Sequence, residues 1–153
     1  MNKNKGVSQS DRDAVPSGAS VPDAGTFQFR VDWWMHECFP PHVCNDRLER
    51  RDRLVEEALE LAQTLPEFTA DRAHALVDYV FSRPVGVTEQ EVGGVAVTLA
   101  ALCVAEGIAL QAWAETELSR ISSPEIIEKI RAKQAAKPVG SALPIATPES
   151  DAP

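Results

Sequence analysis

The sequence predicts an all-α, four-helix-bundle-like fold. Apolar residues recur at helical spacing through most of the chain, and no stretch alternates apolar and polar residues as a strand would. Helix-start and helix-stop residues separate these periodic segments, with Thr69, Thr88 and Ser123 at starts and Pro40, Pro66, Pro84 and Gly107 at stops. A length of 153 residues suits one domain with a real core.

The two ends differ from the middle. Residues 1–25 are rich in Ser, Asp, Gly and Pro without periodic apolar positions, which predicts a disordered arm. From Pro138 onwards a similar composition predicts a loose tail over 138–153, leaving 26–137 as the helical domain. A formal net charge of −8 argues against non-specific binding to nucleic-acid backbones, which needs a basic surface. An acidic chain can still take a polyphosphate if divalent metal bridges the two. The start of the chain has no apolar run of the signal-peptide kind, and the longest apolar run is too short to cross a bilayer. Three cysteines, an odd number, fit a reducing cytosol better than a disulfide framework.

Taken in order, Phe27, Val31, Trp34, Met35 and Cys38 line one face of a first helix that Pro40-Pro41 ends. Trp33 and Trp34 read most simply as core and interface anchors, with base stacking on Trp34 as the alternative. His36, Cys38, His42 and Cys44 raise the question of zinc. Each pair is separated by a single residue, however, and His36 and Cys38 would stand about 200° apart on a helix. The simpler reading is a buried Cys38 with surface histidines.

A long helix runs from Asp46 to about Leu65. Its first turns interleave Arg47, Arg50, Arg51 and Arg53 with Asp46, Glu49 and Asp52, mostly as solvated i,i+4 pairs, with one or two arginines such as Arg53 available to a phosphate. Thr69 starts a helix that runs to Phe81 and turns Ala73, Leu76, Val77, Val80 and Phe81 inwards. Asp78 sits among these apolar neighbours, either as an exposed position or as a metal ligand or sugar contact. Thr88-Glu89-Gln90-Glu91 has the Thr-x-x-Glu pattern of a capping box, in which Glu91 would bond the Thr88 amide. Val92 to Ala105 is fourteen residues without a charge, which predicts the buried central helix. Gly93-Gly94 inside it costs about 1 kcal/mol per residue relative to Ala and points to close approach of another helix, a subunit or a ligand. Ile108 to about Ile121 forms the next helix. Ser123-Pro124 starts the last one, whose basic end carries Lys133, with Lys137 beyond it.

The long helix carries the chemistry. Leu54, Ala58, Leu61, Ala62 and Leu65 share one arc, and Glu56, Glu57 and Glu60 fill a neighbouring arc about 100° wide. A solvated acidic face is the plain reading. Together with Glu91 at the start of the apolar helix, these carboxylates could instead build a divalent-metal site between helices. A di-iron centre would need Glu-x-x-His, which the sequence lacks, so an all-oxygen site points to Mg²⁺ or Mn²⁺ and phosphoryl substrates.

The motifs that carry a resemblance are Trp34-Met35-x-x-Cys38-Phe39, Glu49-Arg50, Glu56-Glu57-Ala58-Leu59-Glu60-Leu61, Asp78-Tyr79-Val80, Arg83-Pro84-Val85-Gly86, Glu91-Val92-Gly93-Gly94-Val95 and Ile130 to Pro138. In this order they resemble the MazG-like all-α nucleoside triphosphate pyrophosphohydrolases, and within them the phage dATP/dGTP diphosphohydrolase branch similar to MazZ. The resemblance implies a MazG-type fold with extra N- and C-terminal helices. It implies hydrolysis of a (deoxy)nucleoside triphosphate between the α- and β-phosphates with Mg²⁺ or Mn²⁺, and a purine substrate such as dGTP or dATP. It also implies a homodimer or homotetramer in the cytoplasm, the host's if the chain is phage-encoded, with neither nucleic acid nor membrane as partner. Glu57, Glu60 and Glu91, with Asp78, would hold the metal. Glu56 would activate water, and Lys133, Lys137, Arg53 and Trp34 would contact substrate. The wider superfamily has Glu-x-x-Asp where this chain has Glu91-x-x-Gly94, so the fourth ligand is missing. The competing expectation is a non-catalytic nucleotide-binding helical module.

Overall fold

The computed structural model describes residues 25–137, and among them every regular element is a helix. The elements are α1 (Phe27–Cys38), α2 (Pro41–Cys44), α3 (Arg47–Gln63), α4 (Ala70–Phe81), α5 (Thr88–Ala105), α6 (Leu110–Ile121) and α7 (Pro124–Ala135). The predicted all-α class is therefore observed. The predicted arm (save Gly25) and tail lie outside the described residues. No single helix among the described residues is long and apolar enough to cross a membrane.

The helix starts follow local chemistry. Thr26 caps α1 by accepting from the Phe29 amide at 3.2 Å, and Thr69 caps α4 by accepting from the Arg72 amide at 3.2 Å. Asp46 caps α3 with one oxygen, Oδ1, which accepts from Leu48 N at 2.9 Å and Glu49 N at 3.2 Å. At α7 the predicted boundary holds with Pro124 in the first turn, although the Ser123 hydroxyl makes no capping bond. The expected stop at Gly107 is a two-bond left-handed cap. Gly107 has φ +66°, its amide donates to Val104 O at 3.3 Å, and the Ile108 amide donates to Cys103 O at 2.8 Å. One element went unpredicted: Pro41 begins the short α2 as well as following the end of α1. A proline suits a first helical turn, where its missing N–H has no partner to lose.

The chain divides into two compact units, with boundaries after Pro41, within α6 and after Ala136. In the first, comprising 25–41 and 115–136 of the described residues, α1 packs on α7. Glu37, Cys38, Leu118 and Ile127 are its buried side chains. Polar anchors tie it together. The Arg30 guanidinium meets Glu115 at 2.5 Å, and Arg131 donates twice to the Glu37 carbonyl, at 2.6 and 3.0 Å.

The second unit holds 42–114 and Lys137, and so contains α3, α4 and α5. Val43, Cys44, Glu49 and Cys103 are its buried residues. Here the structure departs from the sequence expectation. The uncharged stretch of α5 is not buried within the chain: Val92, Val95, Val97 and Val104 are exposed. The inward face expected of α4 is likewise open at Leu76, Val77, Val80 and Phe81, and Leu54 and Ala58 on α3 are exposed as well. The reason is that no two helices of this unit pack along their length among the described residues. Periodicity foretells which face a helix will bury; it does not say that the partner belongs to the same chain.

Candidate functional site

The acidic stripe forms as its spacing requires. Glu56, Glu57 and Glu60 lie on the third and fourth turns of α3, and Arg53, one turn earlier, pairs with two of them. One guanidinium nitrogen of Arg53 meets Glu56, and the other meets Glu57 at 3.0 Å. The pair with Glu57 is the weak one. Glu57 is 64% exposed, and exposed helix pairs contribute roughly 0.3–0.5 kcal/mol. Glu60 is exposed, and so is Asp78 on α4.

Glu91 stands in the first turn of α5, but the capping box does not form. The helix begins one residue earlier than that motif needs: Val87 is the cap, Thr88 is already helical, and no side chain caps the end. The Glu91 carboxylate lies beside Gly86 instead, so close that a Cβ on Gly86 would come within 2.0 Å of its Oε1. Gly86 therefore leaves the space that this carboxylate occupies.

Among the described residues no three His, Cys, Asp or Glu side chains come together at metal-holding distance. Glu57 and Glu60 thus share a helix face without Glu91 or Asp78 completing a cluster with them inside one chain. His36 Nδ1 lies 2.9 Å from the Asp32 carbonyl oxygen, and Cys38, Cys44 and Cys103 are all buried thiols.

The remaining candidates fall in both units. Trp34 belongs to the first, where its indole N–H donates to the Ile121 carbonyl at 3.0 Å and its ring meets Phe39 edge to face at 6.1 Å. Those contacts make it the anchor that the plain reading expects. Lys133 is on α7 in the same unit, exposed to solvent. Lys137 belongs to the second unit and is committed to Glu49, with Nζ 3.0 Å from its carboxylate and both side chains largely buried.

Glu49 is the residue that sequence reasoning missed. Its spacing predicts a solvated i,i+4 pair, but it is buried and accepts from its neighbour Arg50 at 3.0 Å as well as from Lys137. Arg51 likewise pairs with the adjacent Asp52 at 2.9 Å, not one turn away. Spacing along α3 alone cannot reveal a partner arriving from beyond α7. Lys137→Met should accordingly destabilise the fold by roughly 1–3 kcal/mol, because a buried carboxylate loses one of its two cations. Urea unfolding checks this, and an unchanged midpoint would show that Glu49 needs only Arg50.

The chain matches no protein-family model, no curated protein and no solved structure. The functional reading therefore rests on the residues themselves and on the motif resemblance.

Proposed function

We propose that the chain is a metal-dependent nucleoside triphosphate pyrophosphohydrolase acting on a purine deoxynucleotide, dGTP or dATP. The observation that carries this reading is the carboxylate stripe of α3, exposed at Glu57 and Glu60 and half-buried at Glu56, which Arg53 pairs with at Glu56 and Glu57. The donor set fits a hard cation, since every candidate ligand is a carboxylate oxygen. Glu57 and Glu60 would hold Mg²⁺ or Mn²⁺, with Glu91 and Asp78 as further donors brought to them on assembly. Once bound, such an ion supplies Lewis-acid polarisation of the phosphate oxygens and offsets the negative charge of chain and substrate.

The chain's own residues do the rest. Glu56, on the same helix face, accepts a proton from the attacking water as its oxygen bonds to the α-phosphorus. The bond to the bridging oxygen then breaks and pyrophosphate leaves, with the nucleoside monophosphate as the other product. Arg53, freed from the stripe, is available to a phosphate oxygen. Lys137 would first have to give up Glu49 before it could meet the leaving group. The contacts of Trp34 favour a supporting role over base stacking. The branch of the family that the motifs resemble supports the purine preference.

Products decide the reaction class. Incubating dGTP or dATP with the chain and Mg²⁺ or Mn²⁺ should give dNMP and pyrophosphate in equal amounts by anion-exchange chromatography. Formation of dNDP with orthophosphate would place attack at the terminal phosphorus and overturn the proposal. Nucleotide binding without any product would identify the non-catalytic module, the reading that Gly94 in place of a fourth ligand favours.

A further inference from the structure

The open face of α5 is apolar along its whole length. Val92 is 66%, Val97 70% and Val104 82% exposed, and no charge interrupts the stretch from Val92 to Ala105. An exposed apolar surface of this kind marks a docking site. The face also has a low floor. A Cβ built at Gly93 or Gly94 would meet nothing within 4 Å among the described residues, so another backbone can come close there.

The place where the described chain ends sets what can reach this face. Lys137, the last described residue, belongs to the same unit as α5, and Glu49 holds it there with a 3.0 Å ion pair. Sixteen residues follow it, 138–153. At about 3.3 Å per residue they extend to about 50 Å. A compact unit of this size has a radius of gyration of only about 11 Å. Reach is no obstacle.

The composition of those residues matches the face. Pro138 to Pro148 is eleven residues without a charge, in a chain of which 25% is charged, and the acids Glu149 and Asp151 come after it. Val139, Leu143 and Ile145 are its large apolar side chains. Pro138 and Pro144 do not suit a helix interior and favour extended polyproline II backbone. In that conformation Val139 to Ile145 measures about 19 Å, at about 3.1 Å per residue. Val92 to Val104 measures about 18 Å along α5, at about 1.5 Å per residue. Prolines that fix the backbone beforehand also lessen the freedom lost on docking.

We propose that residues 139–146 of the chain lie along the open face of its own α5 as an extended strap. Val139, Leu143 and Ile145 cover the valines, and the strap backbone passes over Gly93-Gly94. This strap takes the place of the loose tail that composition alone predicts. Charge favours it over a second copy on this face, which would bring a further formal charge of −8, whereas the tail brings none before Glu149. The inference stands apart from the proposed activity, because it concerns what covers α5 and not turnover.

Photo-crosslinking of the full chain carrying Ala146→p-benzoylphenylalanine tests it. Isotope-labelled and unlabelled chains are mixed in urea, refolded together, irradiated and digested. Peptides that join position 146 to residues 88–105 should be wholly labelled or wholly unlabelled. Crosslinks that join a labelled peptide to an unlabelled one overturn the proposal in favour of a second copy. Crosslinks elsewhere, or none, overturn it outright. Hydrogen exchange gives an independent readout: Leu143→Asp/Ile145→Asp should speed exchange of the α5 amides at least about tenfold. Unchanged exchange overturns the proposal. Should that variant lose its helical circular dichroism, the crosslinks decide alone.

Discussion

Glu60→Gln, and equally Glu57→Gln, should lower metal-dependent pyrophosphate release from dGTP at least about 100-fold, which is roughly 2.7 kcal/mol of transition-state stabilisation. The amide keeps the shape of the side chain and removes the charge that a hard cation needs. Stability should change by less than about 0.5 kcal/mol, since both positions are exposed and only Glu57 carries an ion pair. The contrast between rate and stability is what identifies a ligand. A solvated acidic face would show neither effect, and a rate near that of the wild type in either variant would remove that residue from the site. Raising the Mn²⁺ concentration should partly restore a weakened site and do nothing for a misfolded one.

Glu91→Gln should also abolish turnover, and here the structure sharpens the test. A glutamine can serve a capping box as well as a glutamate can. In this chain that box is not formed, because Val87 caps α5 without a side-chain bond and the Glu91 carboxylate turns towards Gly86. Loss of activity at unchanged thermal stability would mark Glu91 as a metal donor. An active Glu91→Gln protein would leave it only the modest role of an acid near the positive end of a helix, worth about 0.3–1 kcal/mol. Gly86→Ala offers an independent check, since its Cβ would claim the space that the carboxylate occupies. It should reduce turnover in the same direction by displacing Glu91, with little cost to the helix that follows.

The candidate site was legible where it depends on one helix. The i,i+1 and i,i+4 relations of Glu56, Glu57 and Glu60 are properties of helical geometry, and they hold whatever α3 packs against. Glu49 was illegible for the opposite reason. Its cation partner Lys137 follows the last helix, and no spacing rule connects residues so far apart. The capping box failed on a narrower point. Thr-x-x-Glu fits at Thr88, but the chain enters α5 in extended conformation at Val87, so the motif is shifted by one residue from the helix start.

By itself the sequence determined the all-α class, the Thr69 cap, the stop at Gly107 and the position of the acidic stripe. These are local matters, decided by one side chain and a few backbone amides, or by the 3.6-residue repeat. Only the tertiary structure decided that α1 packs on α7, that Trp34 bonds Ile121 and that the buried Glu49 pairs with Lys137. It also decided that the most apolar helix, α5, lies open in its own chain. Apolar periodicity measures how strongly a surface avoids water, and that tendency is satisfied equally by a neighbouring helix or by another molecule.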